Sequence, residues 1–267
     1  MGEETASDSN GEGSLALFVG DSYFAYLLAR PLIELEHGRI GLVVNSVRTT
    51  RTLPAMASML RRSSAQYVAY RSLVQLLPTI HPRFRGRTVR GLCDLHGITA
   101  FAHADVNALA QDPRLDVDLG IAINMDQILS SQLLQAPRRG VIGIHASRLP
   151  ADKGISPALW AFARGDRVVW VSIYRLVSGV DDGPILDQFS VPVRVDDTAF
   201  SLYERVCSAA GERLLDVLSA LRSGSQPRAQ QGAGGDPLGW PDATHRKMMK
   251  AHDRKLISRH DLFRPRN

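Results

Sequence analysis

The sequence has few cysteines and no long apolar run, and both shortages narrow the class of protein. Cys93 and Cys207 are the two cysteines among 267 residues. They lie far apart, so the spacing indicates no disulfide framework, metal site or redox motif. No apolar run approaches the ~20 residues that cross a bilayer. Residues 1–13 are polar and acidic, unlike a secretory signal, and are expected to be a disordered tail. These features predict a reduced, cytoplasmic protein.

Positive charge is concentrated at the end of the chain. The net charge is +5, and residues 245–267 contain eight Lys or Arg against two Asp, so the remainder is close to neutral. Such a segment could contact the phosphate of a nucleotide-bearing substrate or of a nucleic acid. It could equally be a solvated helix or hairpin packed on the main domain. No aromatic interleaving or known nucleic-acid motif accompanies it.

Apolar segments of strand length alternate with helical segments, which is the order of a parallel α/β sheet. Strands are predicted at 14–20, 40–44, 98–101, 119–123, 141–145, 168–176 and 185–193. Helices are predicted at 22–36, 53–77 with a break near 63–64, 129–134, 156–164 and 199–221, together with a helix ending near His96 and a capped turn at 105–110. The fold class expected from this alternation is α/β, a Rossmann-like, mostly parallel sheet with helices on both faces.

The composition divides the chain further. Residues 14–222 are expected to form the main domain, residues 223–236 a linker rich in Gly, Ser, Gln and Pro, and residues 237–267 a basic C-terminal extension. A polar loop from Pro82 to Arg90 contains four arginines. Arginine clamps phosphate or carboxylate with paired hydrogen bonds, but a mobile surface loop would have the same composition, and the sequence leaves both interpretations open.

Two polar residues stand where a sheet of this kind binds ligands. The strand 141–145 ends in His145, and a glycine-flanked loop, 179–183, contains Asp181. Ligands of open α/β sheets bind outside the carboxyl ends of the strands, so an imidazole and a carboxylate delivered there are expected to converge on one reacting atom. Taken singly, the histidine would be a hydrogen-bonded structural residue and the aspartate a turn residue.

Taken together, the two stretches resemble one family. Gly143-Ile-His-Ala-Ser-Arg-Leu-Pro150 and Gly179-Val-Asp-Asp-Gly-Pro-Ile-Leu186 are similar to the paired motifs of the formyltransferase superfamily, which includes methionyl-tRNA, glycinamide ribonucleotide and sugar-nucleotide N-formyltransferases. The resemblance is strongest from about residue 120 to residue 221. It implies a folate-dependent transferase of one-carbon metabolism, with N10-formyltetrahydrofolate as co-substrate. It also implies that His145 stabilises the charged tetrahedral intermediate, while Asp181 tunes His145 or passes a proton through water.

One position departs from the family pattern. Gly143 stands where the family has an asparagine whose amide, with the histidine, holds the formyl oxygen. Loss of one such donor costs ~3 to 4 kcal/mol of transition-state stabilisation in other enzymes. Asn124 is the proposed substitute for that amide, the alternative being that it caps a strand or the following turn. Two further alternatives stay open: a different one-carbon or acyl donor, with Gly143 opening room for it, and a non-catalytic relic that binds a ligand.

The resemblance also implies a place for the pterin ring of the donor. Backbone groups of two loops would hold it: Met125, Asp126, Gln127, Ile128 and Leu129 in the first, and Val177, Gly179, Val180 and Asp182 in the second.

Two features that the chain lacks narrow the choice of acceptor. Too few residues follow Leu221 for the tRNA-gripping domain of methionyl-tRNA formyltransferases, and Gly20-Asp-Ser-Tyr23 does not reproduce the glycine-rich phosphate loop of glycinamide ribonucleotide formyltransferase. The expected acceptor is therefore the amine of a small metabolite, an amino acid derivative or a nucleotide-linked amino sugar. A whole tRNA and a membrane are not expected as partners, and the oligomeric state is left open.

Overall fold

A computed structural model describes residues 13–20, 22–47, 60–125, 127–230 and 234–263. Its seven strands are β1 (Leu15–Gly20), β2 (Ile40–Ser46), β3 (Ala100–His103), β4 (Leu119–Ile123), β5 (Val141–His145), β6 (Val168–Arg175) and β7 (Ile185–Pro192). They form one sheet in the order β3-β2-β1-β4-β5-β6-β7. The first five in chain order pair in parallel, and β6 and β7 pair antiparallel at one edge. The predicted mostly parallel α/β class is confirmed.

Helices connect and cover these strands. They are α1 (Tyr23–Glu36), α2 (Ala65–Ile80), α3 (Val89–Leu95), α4 (Ser131–Gln135), α5 (Pro157–Arg164), α6 (Ala199–Arg222), α7 (Ala243–Ala251) and α8 (Arg259–Phe263), with short 3-10 helices at His37–Arg39, Val106–Leu109 and Pro113–Leu115. Ser22, Ser64 and Thr198 begin α1, α2 and α6 by accepting a hydrogen bond from a backbone N–H of the first turn, the expected role of N-cap hydroxyls. The first part of the helical segment predicted at 53–77 lies outside the described residues.

One predicted strand is displaced by two residues. The segment 98–101 was expected to be extended, but β3 begins at Ala100. The reason is that the Ile98 N–H donates to the Cys93 carbonyl at 2.9 Å. Ile98 therefore closes the end of α3, and the strand starts after it.

The sheet is buried on both faces. Adjacent residues of a strand point to opposite faces, and in β1 both Leu17 and Phe18 are fully buried. Leu17 belongs to the larger core, which α1, α2, α5 and α6 share, whereas Phe18 belongs to a smaller core with Val106, Leu133 and Val141. Helices thus cover both faces, as the alternation of segments predicts.

The basic C-terminal segment packs on the sheet domain. The ring of His245 in α7 is buried, with Nε2 3.3 Å from the Leu159 carbonyl of α5, and it makes an edge contact with Trp160. The Ala199 N–H at the start of α6 donates to the Lys255 carbonyl at 2.9 Å. In the described part of the chain, no helix combines the length and apolar character needed to cross a membrane.

Candidate active site

His145 and Asp181 lie side by side. Their side chains approach to 3.6 Å, from His145 Nε2 to Asp181 Oδ2, and only 12% and 11% of their side-chain surfaces are exposed. The prediction that the two residues meet is therefore confirmed. An imidazole held near a carboxylate in a nearly dry setting is the arrangement that acid-base chemistry uses.

The route by which Asp181 reaches His145 differs from the expected one. Both residues were expected at the carboxyl ends of parallel strands, which is wrong for Asp181 because β6 is antiparallel to β5. His145 pairs with Ser172, and Ile142 pairs with Arg175, so β6 ends beside the beginning of β5. The connection from β6 to β7 must therefore run back along the face of the sheet to bring Asp181 to His145.

Gly183 makes this return possible. A β carbon at position 183 would overlap the carbonyl of Arg175, so no other residue fits where the loop closes against β6. The Arg175 N–H also donates to the Pro184 carbonyl at 2.9 Å. The glycine that flanks Asp181 in the sequence motif is thus required by close backbone approach.

Two donors fix the carboxylate of Asp181. The Tyr174 hydroxyl donates to Oδ1 at 2.8 Å, and the Gly154 N–H donates to Oδ2 at 2.9 Å. Burial, reinforced by the charge of Asp181, raises the pKa of Tyr174 well above its ordinary value, so the phenol keeps its proton and remains a donor. Asp181 itself has a positive φ of 55°, a conformation that aspartate tolerates better than most residues.

Acceptors surround one nitrogen of His145. Nε2 lies 3.0 Å from the carbonyl oxygen of Asp152 and 3.6 Å from Asp181 Oδ2. Since neither oxygen can donate, these partners assign the proton of the neutral ring to Nε2 and the lone pair to Nδ1. The Asp152 carboxylate is itself held by Arg164, with contacts of 3.2 and 3.1 Å, which anchors the loop that carries the carbonyl.

Leu176 fills the space in front of Gly143. Gly143 shares a strand face with His145, because residues two apart on a strand point the same way. A β carbon at position 143 would lie 2.8 Å from Leu176 Cδ2. The room that the glycine was expected to open for a larger donor is occupied by this apolar side chain, and the different-donor alternative stays a prediction.

Asn124 points away from His145. Its amide nitrogen donates to Ser22 Oγ at 2.7 Å, and Ser22 in turn caps α1. Asn124 lines a small pocket together with Leu28 and Ile144, and Ile144 lies on the opposite face of β5 from His145. Among the described residues the amide makes no hydrogen bond to His145. This geometry favours a capping role, at the N-cap of α1 rather than at the strand or following turn of Asn124 itself, and the catalytic role of Asn124 stays a prediction.

The first predicted pterin loop is anchored to neighbouring strand ends. The Gln127 side-chain amide donates to Ser46 Oγ at 2.6 Å and to the Ala104 carbonyl at 2.9 Å, and the side-chain amide of Asn107 donates to the Ile128 carbonyl at 3.1 Å. Ile128 is 73% exposed, whereas Leu129 is buried. Met125 packs against the smaller core, and Asp126 lies outside the described residues.

The second predicted pterin loop is held at its polar positions and exposed at its apolar ones. Asp182 pairs with Lys153, and Gly179 packs closely on the Asp182 side chain. Val177 and Val180 are 40% and 52% exposed. The two loops thus present three large apolar side chains to solvent, those of Ile128, Val177 and Val180.

Sequence reasoning missed three groups that touch Asp181. They are Tyr174, the Gly154 N–H and Gln230, whose amide donates to the carbonyls of Asp181 and Gly183 at 2.8 and 2.7 Å. A signal existed for Tyr174, because a hydroxyl in a buried, mostly apolar strand needs a hydrogen-bond partner. Nothing in the sequence indicates the contacts of Gln230, which come from the segment interpreted as a linker.

Comparison with protein families identifies the central part of the chain. Residues 87–218 match the family model described as "Formyl transferase". This range contains both motifs of the site, and the match confirms the resemblance inferred from them.

Curated relatives match part of the chain. A methionyl-tRNA formyltransferase of Acidithiobacillus ferrooxidans is 41% identical over 104 residues, which cover 39% of this chain and 33% of that protein. One of Agathobacter rectalis is 29% identical over 176 residues, covering 63% of this chain and 54% of the relative. The chain thus spans between about a third and about half of the length of these relatives. The prediction that a whole tRNA is not a partner is wrong, because these relatives are methionyl-tRNA formyltransferases.

Solved structures share the fold. A phosphoribosylglycinamide formyltransferase from Anaplasma phagocytophilum superposes with a TM-score of 0.57 at 19% identity, covering 87% of this chain and 98% of that one. An N-formyltransferase from Helicobacter canadensis, in complex with folinic acid and dTDP-3-aminofucose, has a TM-score of 0.53 at 12% identity and covers 86% and 71%. At these identities the likeness shows the fold alone.

Proposed function

We propose that this chain, whose residues 87–218 match the formyl transferase family, transfers a formyl group from N10-formyltetrahydrofolate to an amine. The observation that carries the proposal is the His145 and Asp181 pair, 3.6 Å apart and nearly buried, beside two loops with exposed apolar side chains. The pair supplies charge stabilisation and proton transfer. The loops supply a surface for a flat, largely apolar ring.

The exposed side chains support the donor assignment. Ile128, Val177 and Val180 are large, apolar and between 40% and 73% exposed, and they belong to the two loops expected to hold the pterin. Contact with an aromatic ring would remove this surface from water at about 25 cal/mol per Å². Ligand sites typically combine such apolar walls with a few fixed polar groups, here the hydrogen-bonded side chains of Gln127 and Asp181.

The chemistry assigned to the pair is acyl transfer through a tetrahedral intermediate. A bond forms between the amine nitrogen and the formyl carbon, and negative charge develops on the formyl oxygen. His145 stabilises that charge, and Asp181, through Oδ2, stabilises the imidazole when it is positively charged. The bond from carbon to N10 then breaks, and N10 receives a proton in place of the one that the amine loses. No redox step and no further covalent step is needed.

The surroundings of Gly143 bear on the rate. Leu176 stands at the place where a side-chain amide would project from position 143. A missing oxyanion donor costs ~3 to 4 kcal/mol in other enzymes, so we expect a slow transferase. The non-catalytic alternative becomes the better interpretation if the donor binds and no amine accepts.

The acceptor is the part of the function that needs a broad experiment. The panel contains methionyl-tRNA and a nucleotide-linked amino sugar, which the names of a relative and a fold neighbour suggest, and small amino acid derivatives, which the sequence suggests. Binding is measured by calorimetry with folinic acid, a formylated folate, and turnover with N10-formyltetrahydrofolate and each amine. Binding with turnover of one amine class supports the proposal. Absence of any folate binding overturns it.

Matched variants locate the donor on the two loops. Val180→Asp places a charge on the proposed pterin surface and should weaken folinic acid binding at least about tenfold, because burying an unpaired carboxylate is costly. Val195→Asp is the control, since Val195 is 98% exposed and lies outside both loops. Equal affinities of the two variants would place the folate elsewhere.

A further inference from the structure

We infer that Tyr174 is a positioning residue, which holds the Asp181 carboxylate so that Oδ2 faces His145. The inference rests on the proposed function for its effect on rate, and on geometry for its effect on His145. Tyr174 touches no reacting atom in this scheme. It acts only through Asp181.

The hydrogen bonds of Asp181 divide its two oxygens between two tasks. Oδ1 accepts from the Tyr174 hydroxyl at 2.8 Å, and Oδ2 accepts from the Gly154 N–H at 2.9 Å while lying 3.6 Å from His145 Nε2. Two donors on different oxygens determine the plane of the carboxylate. With the Oδ1 donor removed, the group can rotate about its side-chain bonds, and Oδ2 no longer has a fixed distance to the imidazole.

The tyrosine is a rigid support. Its ring is buried in a small cluster with Leu149 and Ile185, and its strand pairs on both sides, with Gly143 of β5 and with Ile185 of β7. Burial keeps the phenol protonated, as its raised pKa indicates. The hydroxyl therefore has one fixed position and one permanent role as donor.

The loop that carries Asp181 needs such a support. Asp181 lies in a left-handed conformation, with φ 55°. It belongs to the connection from β6 to β7, which leaves the sheet at the end of β6 and returns over the face of the sheet. Strained backbone of this kind persists where surrounding contacts hold it. Among the described residues, Tyr174 is the side chain of a sheet strand that donates to the Asp181 carboxylate. This bond ties the loop to the sheet.

Tyr174→Phe is the direct test, because it removes the hydroxyl and keeps the ring. We expect kcat for formyl transfer to fall about tenfold with KM for the donor nearly unchanged, since a hydrogen bond to a charged group is lost but no substrate contact is. Tyr70→Phe is the matched control, a second buried tyrosine outside the site. Urea unfolding of each variant checks that both remain folded.

A second readout does not depend on turnover. The ¹⁵N resonance of His145 Nε2, recorded by NMR at one fixed pH without donor or acceptor, reports whether Asp181 Oδ2 still faces the ring, because it responds to the acceptors around that nitrogen. The other acceptor at Nε2, the Asp152 carbonyl, is the same in every variant. Relative to the wild type, Asp181→Asn should shift this resonance most, Tyr174→Phe part of the way, and Tyr70→Phe not at all.

The combined variant completes the test. Tyr174→Phe should add nothing to Asp181→Asn, in the Nε2 resonance or in the rate, because the tyrosine acts only through the carboxylate. A wild-type Nε2 resonance of His145 in Tyr174→Phe overturns the inference, whatever the rate does. Failure of the wild-type protein to transfer formyl groups would count against the proposed function, while the Nε2 resonance would still decide the role of Tyr174.

Discussion

The ends of β4 and β5 lie next to each other in the sheet, and each delivers a polar side chain to a different environment. Asn124, after β4, turns toward α1 and donates to the hydroxyl that caps this helix. His145, at the end of β5, turns to the other face and lies between the Asp181 carboxylate and the Asp152 carbonyl. The Asn124 amide therefore stabilises the beginning of α1. The imidazole instead lies among acceptors that assign the proton of the neutral ring to Nε2.

The difference shows that a strand end supplies a position and that the neighbouring loop supplies the chemistry. Asn124 and Asp181 both have positive φ, 49° and 55°. At Asn124 the amide makes one hydrogen bond within the described residues, to the N-cap serine of α1. At Asp181 the contacts come from β6, from the loop at Gly154 and from Gln230. Support drawn from several separate elements is typical of a preorganised site.

The largest expected effect is a difference in the rate of formyl transfer between variants at the ends of β5 and β4. His145→Ala should reduce formyl transfer about 10² to 10³-fold, the range for loss of an acid-base group or an oxyanion donor. Asn124→Gly should change the rate less than about threefold, because glycine accepts the positive φ and the amide is engaged with Ser22. Single-turnover kinetics with N10-formyltetrahydrofolate and the accepted amine measures both.

Folinic acid affinity serves as the control for this pair. It should stay nearly constant in His145→Ala, because the proposed role is realised in the transition state. Similar rate losses in both variants would remove the distinction between the two ends and return Asn124 to the list of catalytic residues.

The elements were predictable because their signals are local. Alternating apolar segments located β4 and β5 at their observed bounds, and the hydroxyl of Ser22 located the beginning of α1. The meeting of His145 with Asp181 could be expected from the family motifs, because these describe two segments of one site.

The antiparallel edge could not be predicted, since it depends on pairing that strand periodicity does not encode. Residues 168–176 have the same apolar pattern whichever way β6 runs. Consequently the sequence could not show that Asp181 is the partner of Tyr174 or that Leu176 packs against Gly143. Both depend on β6 lying antiparallel beside β5, with Tyr174 opposite Gly143.

An intermediate effect tests what Leu176 does at the β5 end. Gly143→Asn alone should cost about 1 to 3 kcal/mol of stability without a gain in rate, because the new side chain meets Leu176 Cδ2 and overpacking is destabilising. Gly143→Asn with Leu176→Ala should restore room for the amide and raise the rate about tenfold, since it supplies an oxyanion donor. Leu176→Ala alone is the control. A double variant no faster than this control would mean that an amide at this position does not reach the formyl oxygen.

The smallest expected effect concerns the stability of the β4 end. Ser22→Ala removes the acceptor of the Asn124 amide and the cap of α1, and should lower the free energy of unfolding by about 1 kcal/mol. Asn124→Gly removes the donor of the same hydrogen bond, which is worth about 1 kcal/mol. Because the bond is shared, the two losses should not add in the double variant, and the shortfall measures the coupling between the residues. Urea unfolding followed by circular dichroism gives these values. Additive losses would show that the amide and the hydroxyl stabilise the protein independently, and the capping interpretation of Asn124 would then be wrong.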